Sequence, residues 1–335
     1  MRRQKTNSDS KPDFKFAGGR NRNVWKTVTI GLSLIVSYLP VHHSLENSNS
    51  SKTFASYREI IEKVENKSNW SFGSSRFAVA GASVGDKENF DRFFFFDNGE
   101  KEYNAQLMVF AIINGFLCPD IADAAEVELM PSILEHIATG LPETDLELEN
   151  ILFHACDKFV DKLIKVFPRI TACGATTLIG VHYKSNTTLL VLGDGGILRV
   201  WDSWWVFTKA RNVLEAAADV EKAGGAVNYI NGAWRIGGVL RARSALGVHL
   251  FKILGWVDNN FLEVPNFSIG PVKPLKYLIF GSNGFWDAVS SERAKEVIEG
   301  VFEKEPIVGV QQLMYEALNN KSHDHAMMML VNFRK

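Results

Sequence analysis

Apolar and polar positions along the 335-residue chain fall into three regimes. Residues 1–23 are polar and basic, a composition that buries no core and predicts disorder. The uncharged run VTIGLSLIVSYLPV at 28–41 follows, then a Ser/Asn-rich linker from His42 to Lys52 and a short helical pattern, YREIIEKVE. From about Arg76 the pattern becomes blocks of strand and helix. RFAVAGASVG and DRFFFFDN read as strands, and LMVFAIING as a wholly apolar strand broken by Asn-Gly. The expected organisation is a basic arm at 1–23, an extension at 24–75 and one folded domain over 76–335.

Capping signals sharpen the second half. Thr144 and Glu147 form a capping box that opens a long amphipathic helix, LELENILFHACDKFVDKLIKVF, stopping before Pro168. ATTLIGVHY, TTLLVL and ILRVW are β-branched runs joined by KSN and GDGG, links short enough to predict an antiparallel meander with tight hairpins. ARNVLEAAADVEKAGG predicts a helix ending at Gly224-Gly225, YLIFGSNG a buried strand, SSERAKEVIEGVFEK a Ser-capped helix and MMMLVNF a last strand. Antiparallel strands interleaved with helices, without repeated strand–helix–strand units, indicate an α+β fold.

Charge changes the picture only at the start. The net charge is -1, which offers no footprint for nucleic acid. Residues 1–26, however, hold eight Lys or Arg against two Asp. A basic arm before an apolar run suggests a signal or membrane anchor. The run is short of the roughly 18–20 residues a span needs, and no small-residue cleavage site follows. A buried element is the reading preferred, with membrane contact through this segment as the alternative. Cys118, Cys156 and Cys173 show no CxxC spacing and read as buried thiols of a reducing compartment, cytoplasmic or nuclear.

Acids recur where strands end. Asp91, Asp194, Asp287 and Asp324 all take such positions, and Asn114 and Asn283 occupy two more of the same kind. Carboxylates converging on one sheet edge would suit Mg²⁺ or Mn²⁺, which prefer oxygen ligands. Spacing alone favours solvated turn residues. His323 and His325 flank Asp324 but cannot join it on one ion, because alternate strand residues point to opposite faces. Phe93–Phe96 is too uniform to assign faces, and Trp201, Trp204 and Trp205 suit either core packing or a partner contact.

The order of these segments over about 76–335 resembles the metal-dependent protein phosphatases of the PPM, or protein phosphatase 2C-like, family. A first strand of that family ends in Glu-Asp, here Phe90-Asp91. A second ends in Asp-Gly-His-Gly-Gly, here Asn114-Gly115-Phe116-Leu117-Cys118. The Gly-Asp-Ser link appears as Gly193-Asp194-Gly195, and the segment EKAGGAVNYINGAWRIGGVL matches a helix, a Gly-Gly and an Arg-Val-x-Gly-x-Leu run. SNGFWD matches Ser-Asp-Gly-x-Trp-Asp, and Ser322-His323-Asp324-His325 matches the final Ser-x-Asp-Asn. The resemblance implies a four-layer αββα sandwich, two antiparallel sheets flanked by helices. It also implies a two-metal site in active members, where cations about 3.5–4 Å apart activate a water against a phosphoserine or phosphothreonine.

The departures fall on that site. Asp91, Gly115, Asp324, Asp194 and Asp287 match metal-site positions, whereas Asn114 and Asn283 stand where acids are expected. Phe116 replaces the presumed general acid, so no catalytic residue carries over securely. Gly247-Val248 replaces a Gly-Asp, and Asp86 with Lys87 stands where a phosphate-gripping Arg is found. An amide supplies one neutral oxygen but no charge. One unit-charge attraction at 4 Å is worth roughly 4 kcal/mol at an effective dielectric near 20. The resemblance therefore implies a pseudophosphatase or very weak phosphatase, with Mg or Mn bound weakly or not at all. Its expected role is contact with a phosphoprotein or kinase-pathway protein. The alternative is an active Mg/Mn-dependent serine/threonine phosphatase.

Overall fold

The computed structural model describes residues 69–73, 77–82, 90–97, 107–140, 142–166, 172–184, 186–209, 213–230, 232–257, 275–301, 306–320, 322 and 324–333, all within one compact unit, Ser51–Lys335. The expected arm, the apolar run at 28–41, Asp86, Lys87 and His323 lie outside the described residues.

The strands are β1 (Asn69–Gly73), β2 (Phe77–Ala82), β3 (Asp91–Asp97), β4 (Leu107–Phe116), β5 (Gly174–Tyr183), β6 (Asn186–Leu192) and β7 (Gly196–Val200). They continue with β8 (Trp205–Lys209), β9 (Val227–Ile230), β10 (Ala233–Ile236), β11 (Leu246–Gly247), β12 (Tyr277–Gly281) and β13 (Ala326–Asn332). The helices are α1 (Asp120–Ala124), α2 (Met130–Gly140) after a π-helical turn, α3 (Asp145–Val166), α4 (Ala217–Lys222), α5 (His249–Ile253), α6 (Asn283–Trp286), α7 (Ser291–Val301) and α8 (Pro306–Asn319).

Two antiparallel sheets form the centre. One runs in the order β1-β2-β13-β12-β7-β8; the other runs β11-β5-β4-β3, with β6 also on β5. The wholly apolar strands follow from this layering. In β4, Met108, Phe110 and Ile112 face the interior between the sheets, while Leu107, Val109, Ala111 and Ile113 pack beneath α1, α2 and α3. In β13, Met327, Met329 and Val331 face that interior, while Met328 and Leu330 meet α7 and α8. Strands covered on both faces lose the polar alternation of a half-exposed sheet. The expected α+β, four-layer architecture is the one observed. The Phe run divides by parity: Phe93 and Phe95 turn to the sheet–sheet core, Phe94 and Phe96 to the helical layer.

Four expectations are corrected. Among the described residues, strand structure is already present at Asn69, ahead of the expected boundary at 76, because β1 pairs with β2. The GDGG link is not a hairpin: β6 pairs with β5, whereas β7 pairs with β12 and β8, so residues 193–195 cross from one sheet to the other. Glycines fit a crossover as well as a hairpin, and local sequence does not separate the two. Cys118 and Cys173 are joined as a disulfide across the ends of β4 and β5, with Cα atoms 5.7 Å apart, and Cys156 alone of the three is a buried thiol. The helix expected over ARNVLEAAADVEKAGG is described as a 3₁₀ turn, Val213–Ala216, followed by α4. The capping box is present, with Glu147 N–H donating to Thr144 Oγ1 at 3.2 Å and Thr144 N–H to Glu147 Oε2 at 3.3 Å.

Candidate functional site

The strand-end residues gather at one edge of the sandwich. Antiparallel register sets Asp91 on β3 directly opposite Asn114 on β4. Gly115 N–H donates to Phe90 O at 3.2 Å, tying the end of β4 to the start of β3, and Phe116 pairs with Gly174 on β5.

The second sheet contributes the turn after β12. Ser282 locks it to β13, its N–H donating to Met327 O and its Oγ accepting from Met327 N–H, both at 2.9 Å. Gly284 follows because a Cβ there would run into the His325 carbonyl oxygen. This close approach fixes Asn283 at the head of α6, buried at 6% exposure. Its Oδ1 accepts from Gly284 N–H at 2.8 Å and lies 3.4 Å from Asn114 Nδ2. Its Nδ2 donates to Asp194 Oδ2 at 2.9 Å. The two amides at the positions where the family resemblance places acids therefore meet each other, and one of them serves a neighbouring carboxylate as donor.

Electrostatics differ among the four acids. Asp91 is buried, and its carboxyl is pushed up to about 8, first by loss of solvent and then by the charge of Asp324, with Arg92 opposing. Arg92 itself reaches Asp123 at 2.6 Å. Asp324 accepts from His325 N–H at 3.0 Å through Oδ1. Burial also raises Asp194, while Arg241 pulls it down. The Arg241 guanidinium places Nε 3.2 Å from Asp194 Oδ2 and Nη2 2.6 Å from Asp287 Oδ2; Lys209 Nζ lies 3.3 Å from Asp287 Oδ1.

Arg241 and Lys209 are the site residues that sequence reasoning missed. Arg241 is delivered by a turn in which Gly237 and Gly238 both take positive φ and Ile236 bridges to Leu240. The run WRIGGVL that carries the family likeness stops one residue short of it. Arg235, on the same segment, donates to Val239 O at 2.8 Å and lies in the field of Asp324, Asp194 and Asp287. Among the described residues, no group of three or more His, Cys, Asp or Glu side chains is arranged to hold a metal ion.

No family model matches the chain. It is 31% identical over 162 residues to probable protein phosphatase 2C 59 of Arabidopsis thaliana, a match covering 45% of this chain and 50% of that protein. It is 24% identical over 237 residues to probable protein phosphatase 2C 45 of Oryza sativa subsp. japonica, covering 67% of this chain and 76% of the relative. The match thus spans half the length of the first relative and about three quarters of the second. Among solved structures, a C. elegans sex determining protein superposes with a TM-score of 0.65 at 16% identity, covering 92% of this chain and 82% of the other. Serine-threonine phosphatase 2C from Toxoplasma gondii gives 0.64 at 18% identity, covering 78% and 96%. The structural likenesses establish the fold as that of the protein phosphatase 2C structures, and the sequence relatives, protein phosphatase 2C proteins, are what the chain is similar to.

Proposed function

We propose that the protein is a pseudophosphatase, or at most a very weak phosphatase, that works through protein contacts in phosphorylation signalling. The observation carrying this reading is the amide pair Asn114 and Asn283, whose side chains meet at 3.4 Å where two acids are expected. Paired divalent ions need several negative ligands, including one shared by both, and neutral amides in those places supply none. Asn283 also turns its NH₂ toward Asp194, which presents a donor rather than a lone pair to an incoming cation on that side. The residues present do not fit a two-ion centre. Exposed aromatic surface supports a contact role: Trp204 stacks at 3.7 Å on the buried Trp201 and remains 46% exposed, and Tyr229 on β9 is 62% exposed.

An active enzyme is the second reading, favoured by Asp91 and Asp324. Their charges already oppose one another, a tension that one divalent ion would relieve. The test is hydrolysis of a phosphoserine peptide by the full chain with Mg²⁺ or Mn²⁺. The expected result is no turnover attributable to Asp91. Turnover that disappears in Asp91→Ala overturns the proposal. Restoring Asn114→Asp with Asn283→Asp asks separately whether the missing charges alone silence the site.

A further inference from the structure

We infer that Arg241 is a tethered counter-ion: its guanidinium supplies from within the chain the positive charge that Asp194 and Asp287 require, so the pocket is complete without a divalent cation. This rests on the proposed reading of the site as poor in ligands for ions and says what takes their place.

The geometry is that of a clamp. One planar guanidinium spans two carboxylates contributed by different segments, the crossover between the sheets and the end of α6, with Nε facing Asp194 and Nη2 facing Asp287. A planar fork holds two acceptors at fixed angles, which a hydrated ammonium does not. Asp194 Oδ2 accepts from Asn283 Nδ2 at 2.9 Å and is ion-paired with Arg241 Nε at 3.2 Å. A donor hydrogen and a guanidinium charge on this oxygen make it a poor seat for a cation. On Asp287, Oδ2 faces Arg241 and Oδ1 faces Lys209. Two acids are thus balanced by two bases. Arg241 is only 16% exposed, so its charge is held in a setting where pairing matters. Burial works against that charge, but Asp194 and Asp287 outweigh it and keep the group firmly protonated.

The position of Asn283 follows from the same arrangement. With Arg241 in place, an acid at 283 would bring a third carboxylate against Asp194 with no further cation to meet it, whereas the amide offers Asp194 a donor. Amide and guanidinium are complementary parts of one ion-free solution.

The experiment is thermal melting of the full chain, wild type beside Arg241→Met and Arg241→Lys, with EDTA, Mg²⁺ or Mn²⁺. Methionine keeps the apolar stem and removes the charge. We expect Arg241→Met to melt on the order of 5 °C lower in EDTA. Millimolar Mn²⁺ should recover at least roughly half of that loss, because the freed carboxylates bind an ion and binding to the folded state stabilises it. Wild type should move by less than about 1 °C with either ion. Arg241→Lys should fall between the two and stay insensitive to Mn²⁺, and it decides the matter should the methionine variant fail to fold. A wild type stabilised by Mn²⁺, a methionine variant as stable as wild type, or a lysine variant rescued by Mn²⁺ would each overturn the inference. Mn²⁺-dependent hydrolysis by wild type would instead sink the proposed function, so the two failures are distinguishable.

Discussion

Asp91→Asn should stabilise the protein, and by more as pH rises. Asp91 is 6% exposed and its carboxyl is lifted from the ordinary 3.8 to about 8, chiefly by burial. Between those values the folded state holds a proton that the unfolded chain has released. Stability therefore falls as pH rises through this window and levels off above about 8. At 1.36 kcal/mol per pH unit, the cost accumulated by pH 7 is about 4 kcal/mol. Local relaxation and water entry reduce this, so a measured gain of about 2 kcal/mol for the variant at pH 9 is the expectation. At pH 4 the two proteins should be nearly equal, or the variant slightly worse, since its NH₂ group must find an acceptor. Urea unfolding at pH 4, 7 and 9 in EDTA measures this directly. Asp194 is also raised by burial and adds a slope common to both proteins, so the difference between the curves is the readout. Parallel curves across this range would refute the claim that Asp91 is a buried, unfavourably charged carboxylate.

Two further substitutions test the scaffold around the site. Gly284→Ala should cost about 3 kcal/mol or more in urea unfolding, because the added Cβ meets the His325 carbonyl oxygen, a main-chain atom that cannot swing away. Stability unchanged within about 0.5 kcal/mol would mean that the turn after β12 is not packed this tightly. Reduction should lower stability by up to about 4 kcal/mol through loss of the Cys118–Cys173 link, which closes a loop of sequence separation 55. Cys118→Ser should melt at the reduced temperature and no longer respond to reductant.

Much of the fold was legible because its signals are local. The box at Thr144 and Glu147 opens α3, and the apolar blocks of β4, β12 and β13 announce strands. Where covered layers erased alternation, as in Phe93–Phe96, only the sheet–sheet packing could assign faces. The Cys118–Cys173 pair depends on β4 and β5 lying side by side, which spacing does not reveal. Helix α8 was also missed: it opens at Pro306 after residues without a clear cap signal, and its Gly309 is a helix-weakening residue packed against α7. At the site, the sequence marked strand-end acids and amides by motif order. It did not mark Arg241, whose partners lie 47 residues earlier and 46 residues later and whose neighbours, Leu240 and Ala242, are plain core residues.

The missing acids and the added base belong to one electrostatic design. A pocket that recruits ions must keep unbalanced negative charge while empty, and that charge destabilises the fold until a cation arrives. Here Asn114 and Asn283 remove part of the charge, and Arg241 with Lys209 answers Asp194 and Asp287. What remains is Asp91 beside Asp324, and the Asp91 carboxyl is raised first by burial and then by its neighbour's charge. A site neutralised from within has its geometry set at folding rather than by ion concentration. On the proposed reading, such constancy suits a surface that presents the same face to a partner whatever the supply of divalent ions, whereas a metal-bound water nucleophile would need the opposite design.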